Sequence, residues 1–504
     1  MRKLFFLPII LTLLNFATSC SKDNLEEPIV EKPKEVVNKA PNDFEITIKS
    51  VTDNTATLNW QKAIDPDNDS VTYTIYLGQT IILDNATSLE CKLTGLNELT
   101  NYTGKIIAKD SKNNQTIKTF SFNTNKYFLK FIKAYDYADG QYSKHGSPYS
   151  MIKTNDGKYV ITGSSNFNDS GAQFFVLKTD YQGNELWKKF YGYQIGSSMN
   201  FKITQTSNGF ILAGSHHVLN IDNDGNIKWH KELLSYDSSG EIKSVKIDSF
   251  GNIFLVGTSG TSVNPEIMVE GVLTKLDNSG NVIWEKAFNP SLISEFNDLI
   301  ITSSNNLIIL GSTETSGTTR EQFIKGPSSV VQMDFWVLNI NNNGEKIWQK
   351  TYGDGKYDFP SQIITTRDGN YVFTGYSWGA YDISYRRLFK IDKEGNEIWG
   401  NTYNTSSTSI YSVAETSDNG YILAGTLDSG SYDGVGLFKY DSNGNPIWEK
   451  TYREDFTHLR GYAVVAEDDR GFRIAATRFK YNYDDGDRPK LLVYKTDPEG
   501  NIAE

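Results

Sequence analysis

Between Asn42 and Asn125, apolar and polar residues alternate along short runs, and polar segments rich in Asn, Asp, Ser and Gly separate the runs. Alternation with a period of two puts every second side chain on one face of a strand, so the pattern predicts half-buried strands in layers. ATLNW (56–60) and VTYTIYLG (71–78) are two such runs. From about Tyr127 the alternation acquires a second, longer period. A turn of the form Asp-x-x-Gly-Asn, or a close variant, recurs at Asp180, Asp222, Asp277, Asn341, Asp392, Asp441 and Asp497. In six of these seven a Trp stands four residues after the Gly: Trp187, Trp229, Trp284, Trp348, Trp399 and Trp448. Each period reads as four strands. A first run such as YSVAET (411–416) turns back into a second such as YILAG (421–425). A third, such as GLFKYD (436–441), enters the Gly turn, and a fourth carries Trp-x-Lys-x-Tyr or a variant. The second run ends on Gly163, Gly214, Gly257, Gly311, Gly375 and Gly425, and on Ala476 in the last period.

Successive Trp are 42, 55, 64, 51 and 49 residues apart. Four-stranded units at such a spacing predict the blades of a β-propeller. The seventh period stops after its turn, at Ile502, without a fourth strand, while FIKAY (131–135) matches WQKTY (348–352) with Phe in place of Trp. The N-terminal strand is therefore expected to complete the last unit, which removes open sheet edges and sets the number of blades at seven. The fold class is all-β: a sandwich followed by a seven-bladed propeller. The sandwich resembles a fibronectin type III domain. ATLNW looks like that family's second strand with Trp60 in its core, VTYTIYLG like its third, and LTGLNELTNY (93–102) like its tyrosine corner, with Leu96 and Tyr102 at the family spacing. The resemblance implies that the Tyr102 hydroxyl bonds back to the backbone. The Gly-to-Trp spacing of the propeller resembles the tryptophan-docking repeats of the quinoprotein-like superfamily, in which the Trp packs between blades. The vicinal Cys pair of those enzymes is missing, so the resemblance extends to the fold and not to the cofactor, and no cofactor is expected.

Composition fits this picture and adds an address. Tyr (29), Phe (27) and Gly (41) are abundant in the 504 residues, and aromatic residues suit pleated, half-buried surfaces. The net charge of −11 and the lack of a basic cluster argue against a nucleic-acid partner. Arg2 and Lys3 precede an apolar run (4–16) too short for a mature membrane span, and small residues lead to Cys20. This resembles the lipobox of bacterial lipoproteins, with Ala17 where Leu is usual, and implies a lipid-modified Cys20 as the mature N-terminus. Several acyl chains on one residue anchor stably. The acidic stretch 21–27 resembles the surface-export signal of Bacteroidota lipoproteins, which implies an outer-membrane anchor and a cell-surface address. The expected organisation is a signal peptide (1–20), a Glu/Lys/Pro-containing linker (21–40), the fibronectin-like domain (41–125) and the propeller (127–504). Cys91 is the other cysteine, so an internal disulfide and Cys-based metal sites are excluded from the mature body. Asp65, Asp67 and Asp69 in DPDNDS (65–70) offer oxygens but lack the bidentate Glu of a calcium loop, and are expected to form a turn.

In a propeller the first-to-second and third-to-fourth strand hairpins share one end, and the remaining loops lie at the other. Here the hairpins are short and uniform. The loops vary from 215–218 to the long 312–333, so specificity is expected at the loop-rich end. Its most aromatic segment, YSWGAYDISYRR (376–387), supplies the candidate ligand-binding residues Tyr376, Trp378, Tyr381, Tyr385 and Arg386, with Arg387 beside them. Tyr191, Tyr193, Tyr432, Tyr481 and Tyr483 are expected to reach the same end. Exposed aromatic planes stack on sugar rings and serve as hot spots in protein interfaces. Catalytic motifs are lacking: HExxH, GxSxG and phosphate-binding Gly loops do not occur. Adjacent His216 and His217 point to opposite faces of a strand, so no metal site is expected there. The function expected is a non-enzymatic binding module for a glycan or an outer-membrane protein. The alternatives are a scaffold subunit of an outer-membrane complex and, behind it, a polysaccharide-degrading enzyme.

Overall fold

A computed structural model describes residues 37–503 except 137–142, 168–171, 196–200, 234–235, 237–239, 264–265, 318–331, 379–383, 406–407, 429–431 and 481–488. The signal peptide, Cys20, the acidic stretch and most of the linker lie outside the described residues. The chain is all-β, and every element among the described residues is a strand. It divides into two compact units, Met1–Tyr127 and Phe128–Glu504.

In the first unit, Ile46–Lys49, Thr55–Trp60 and Glu90–Thr94 form one sheet, and Thr80–Ala86, Thr72–Leu77, Asn101–Lys109 and Gln115–Asn123 form another. The period-two alternation decides what faces inward. Ala56, Leu58 and Trp60 are buried while their neighbours are not, and they pack on Tyr73, Ile75, Cys91, Ile106 and Phe120. Leu96 is buried, and the Tyr102 hydroxyl accepts the Asn97 N–H at 2.9 Å. The Asp65 carboxylate accepts the N–H groups of Asp67 and Asp69 at 2.9 and 3.1 Å, folding that segment into a turn.

In the second unit the strand pairings make seven antiparallel four-stranded sets. Six are consecutive in the chain, at 143–195, 201–232, 241–288, 294–352, 357–405 and 408–452. The fourth and fifth are joined by one parallel bridge, Met333 to Tyr357. The seventh takes His458–Ala466, Phe472–Phe479 and Lys490–Lys495 from the C-terminal end and Phe131–Asp136 from the N-terminal end, with Tyr135 opposite Leu491 and Ile132 opposite Tyr494. In each set the second strand opens on a mostly apolar, buried run, and in Gly209–Gly214 and Tyr421–Leu427 this extends through nearly the whole strand. Both of its faces are covered, because the first strand of each set packs on the first strand of the next, and His458–Ala466 packs on Ser143–Lys153.

The repeated turn and the repeated Trp belong to one device. In the turn at Asp222, one carboxylate oxygen accepts the N–H groups of Asp224 and Asn226 and the other accepts the Asn226 side-chain amide. Gly225 takes a φ of 79°, which side chains disfavour. The missing side chain also clears a seat: a Cβ there would crowd the Trp187 ring of the preceding set. The fourth strand of the preceding set reads the whole turn. Trp187 Nε1 donates to the Asn223 carbonyl at 3.0 Å, Lys189 Nζ to Asn226 Oδ1 at 2.6 Å, and the Tyr191 hydroxyl to the Gly225 carbonyl at 2.7 Å. The same seat holds Trp229 on Gly280, Trp348 on Gly395, Trp399 on Gly444 and Trp448 on Gly500. Phe131 occupies it on Gly183, with Lys133 on Asn184 and the Tyr135 hydroxyl on the Gly183 carbonyl. Trp284 packs on Phe254 in the same hydrophobic cluster as Phe296 and Trp336.

Candidate functional site

The first strands carry an irregularity that creates a site. In six of the seven, the register against the second strand slips by one residue, leaving Tyr149, Lys243, Asn297, Ser361, Tyr411 and Tyr462 unpaired in β-bulges. A bulge re-aims the extra side chain. All six bulged residues line one cavity of about 250 Å³, and Lys202 of the unbulged second set lines it too. Every set of the second unit thus contributes its first strand to the same cavity. The Gly expected to end the second strand lies within it in these sets, as Gly163 does in Tyr159–Phe167 and Gly375 in Tyr371–Trp378, and there it permits the bulge. A Cβ on Gly163, Gly257, Gly311, Gly375 or Gly425 would overlap the carbonyl of Ser147, Glu241, Glu295, Phe359 or Ser409, two residues before the bulged position.

The cavity lies toward the loop-rich end, where the first strands begin and the second strands finish. Tyr357, Asp358, Phe359 and Tyr376 complete its wall. Phe359 stacks on Tyr376 with centroids 4.9 Å apart and planes 13° apart, and touches Tyr357 and Trp378 at 4.8 Å each. Trp378 is 58% exposed. An aromatic surface therefore runs from the cavity wall to an open indole. Across the cavity Tyr462 meets Tyr149 and Tyr411 at 5.4 and 5.3 Å. Burial raises the Tyr149 phenol to about 12 and also raises Tyr411, Tyr462 and Tyr376, so all four stay neutral hydrogen-bonding groups.

Charges are distributed unevenly around this wall. Lys243 pairs with Glu295 at 2.9 Å and Glu241 at 3.6 Å. Burial opposes its charge, but the two carboxylates outweigh it and hold its pKa up. Lys202 donates to the Tyr149 carbonyl at 3.4 Å, and burial lowers its pKa against the attraction of Asp298. Among the described residues Lys202 has no carboxylate within ion-pair distance. The Asp358 side chain is fully buried, 3.8 Å from Arg387, and accepts the Ser377 hydroxyl. Burial raises it to about 7, against the pull of Arg387 and Ser377. Its folded form binds a proton more tightly than its unfolded form. It therefore contributes stability that is fully present below the ordinary carboxylate range and lost as the pH rises through about 7. Urea midpoints between pH 5 and 8 should fall less steeply in Asp358→Asn than in the wild type. Parallel pH profiles for the two proteins would remove Asp358 from the account.

The sequence-derived candidates separate on this map. Tyr376 and Trp378 belong to the aromatic surface. Tyr385 is half-buried under Lys356, whose Nζ lies 4.6 Å from the ring. Arg386 is buried, 3.9 Å above the Phe438 ring and 3.0 Å from Glu449, so its guanidinium joins neighbouring sets instead of facing a ligand. Arg387 is buried on Asp354 and Asp358. Tyr191 does not reach the loop-rich end, since its hydroxyl is committed to the Gly225 turn. Tyr432 is exposed and packs on Phe456 and His458. Tyr381, Tyr481 and Tyr483, with the Tyr193 side chain, fall outside the described residues. Sequence reasoning missed Tyr149, Lys202, Tyr411, Tyr462 and Asp358. A signal was present: each bulged residue stands fourteen positions before the repeated Gly, or Ala476, of the second strand. Away from the cavity, His217, His230 and Glu232 bring ligand-type atoms within 4.8 Å of one another.

No curated protein matches the chain. Among solved structures it is similar to the WD40 domain of Neurospora crassa Pan2, at 12% identity over 71% of this chain and 92% of that one, with a TM-score of 0.45. It is also similar to a glucose dehydrogenase (9% identity, 60% and 96% covered, TM-score 0.36). A third is the extracellular domains 1–2 of Drosophila semaphorin 1b (7%, 74% and 87%, TM-score 0.41). Residues 39–122 match the sequence model of the fibronectin type III domain, and this segment of the chain is a domain of that family.

Proposed function

We propose that the chain is a non-enzymatic lipoprotein of Bacteroidota type, anchored in the outer membrane through Cys20 and exposed at the cell surface. Its repeat unit is a seven-bladed β-propeller closed by Phe131–Asp136, and its loop-rich end binds a glycan end-group. The lipobox-like sequence before Cys20 and the acidic residues after it support the address. Three observations support closure: the pairing of Phe131–Asp136 with Lys490–Lys495, the packing of the last first strand on the first one, and a cavity shared by all seven first strands.

The binding reading is carried by the aromatic surface that leads from exposed Trp378 to the cavity. A sugar ring has apolar C–H faces and a rim of hydroxyls. Flat aromatic faces with neutral phenols, one amide and a cation nearby suit both. Of the two acids in the wall, Glu295 is already engaged by Lys243 and the Asp358 side chain is fully buried beside Ser377 and Arg387, which disfavours the hydrolytic alternative. Trp378→Ala should melt with the wild type, because exposed positions change stability by about 0.5 kcal/mol or less. It should weaken glycan binding by about 2 kcal/mol, or ~30-fold. The check is a glycan array followed by calorimetry on the hits. Undiminished binding by Trp378→Ala would sink this reading. A protein that binds no glycan but copurifies stoichiometrically with outer-membrane proteins would establish the scaffold reading in its place.

A further inference from the structure

The repeats act as internal controls for one another. In each set, the third and fourth strands pair so that one third-strand residue faces the residue three after the repeated Trp. The residue one after the Trp lies diagonal to that pair, on the same face. In the first set these positions hold Phe175, Phe190 and Lys188; in the third, Val272, Ala287 and Glu285. The fourth holds Trp336, Thr351 and Gln349, and the sixth Gly436, Thr451 and Glu449. The second set alone places a metal-ligand type at all three, His217, Glu232 and His230. It uses two of the five histidines in the chain to do so.

The side chains converge. His217 Nδ1 lies 3.1 Å from His230 Nε2 and 3.9 Å from Glu232 Oε1. Two ligand atoms held ~2.0–2.1 Å from one zinc ion at near-tetrahedral angles are ~3.1–3.5 Å apart. The histidine pair already has that spacing. The Glu232 side chain is 55% exposed, so it can close the remaining few tenths of an ångström. His217 is 2% exposed, so the set has a rigid floor and an open side. Adjacent His216 is not part of the set, but not because strand neighbours face opposite ways: it lies in the turn before the strand, with its ring 4.1 Å from that of His217 and its Nδ1 3.2 Å from the Ser215 hydroxyl. The ligands come from across the strand pair. This set also departs from the Trp-x-Lys-x-Tyr pattern, with Leu233 where most fourth strands carry Tyr.

We propose that His217, His230 and Glu232 form a site for a borderline divalent cation such as zinc, with a fourth position left for water or a donor from a bound partner. Two imidazoles and one carboxylate are zinc-type donors. A hard cation such as Mg²⁺ prefers an all-oxygen shell and is excluded by the donor set. The site ties the third and fourth strands of the second set together at its loop-rich end, independently of any glycan site.

The test is titration of the full chain, purified without a polyhistidine tag and stripped with chelator, with zinc chloride by calorimetry. Cobalt(II) absorption reports the coordination number. One equivalent of zinc should bind, with tetrahedral cobalt bands and a raised melting temperature. His230→Ala should lose about 100-fold or more in affinity, and Glu232→Gln, which preserves shape, about tenfold or more. Circular dichroism of each variant separates a lost ligand from a lost fold. Zinc binding that is substoichiometric, or unchanged in a folded His230→Ala protein, overturns the proposal.

Discussion

Deleting Phe131–Asp136 is expected to abolish cooperative melting of the repeat unit while leaving the fibronectin type III domain folded. The strand covers Leu491 and Val493, which are 2% and 0% exposed, and buries Tyr135. Uncovering three such side chains costs about 4.5–9 kcal/mol at ~1.5–3 kcal/mol each. That is comparable with the whole stability of a typical domain, ~5–15 kcal/mol. The deletion also empties the Phe131 seat on Gly183 and leaves Lys490–Lys495 as an open edge, which invites aggregation. Thermal unfolding followed by near-ultraviolet circular dichroism, with light scattering alongside, measures both effects. A second construction makes the result specific to closure. Grafting the same six residues after Ala503 places the Phe four residues beyond Gly500, where the other turns carry Trp, and should restore the melt. A deletion protein that unfolds like the wild type would mean that the ring does not depend on this strand.

Arg473→Ala is expected to cost about 3–5 kcal/mol, the range for removing one partner of a buried ion pair. Both side chains of the Arg473–Glu467 pair are fully buried, with Nε 2.8 Å from Oε1. The pair sits at the junction between the last and first sets of the second unit. Arg473 stacks 3.6 Å above the Tyr159 ring and donates to the Tyr181 carbonyl at 2.8 Å, and the Tyr159 hydroxyl bonds to Glu467. Without the guanidinium, Glu467 is left charged and dry. The Tyr159 phenol, held neutral by burial and by Glu467, still donates its hydrogen bond but brings no positive charge to replace the guanidinium. Replacing both partners, Arg473→Met with Glu467→Met, should cost less than Arg473→Ala alone, because the desolvated charges leave together. Denaturant midpoints on the three proteins decide the matter. A loss below ~1 kcal/mol for Arg473→Ala would place this junction outside the load on the fold.

Much of this molecule was legible along the chain because its rules are local. A period of two fixes which face of a strand is buried, and a Gly three residues after an Asp fixes a turn. The Trp-x-Lys-x-Tyr strand could be read as a repeat, although its partner, the turn of the next set, is about forty residues distant, as between Trp187 and Asn223. Tyr376 and Trp378 could be placed at the loop-rich end because they finish a strand whose direction the hairpins set.

The sequence by itself determined the strand content, the period, the fibronectin type III segment and the residues that punctuate each repeat, since each depends on neighbours within a few positions. Tertiary structure decided what the side chains at strand ends do. Arg386 and Tyr385 differ by one position and both resemble ligand contacts, yet one is buried against Glu449 of the next set and the other lies under Lys356. The cavity exists only because seven first strands, spread over some 320 residues, converge and six of them bulge toward it. Its tyrosines are otherwise ordinary members of alternating strands. A bulge reverses the side a residue faces without changing its identity, so periodicity alone assigns these positions to the wrong face.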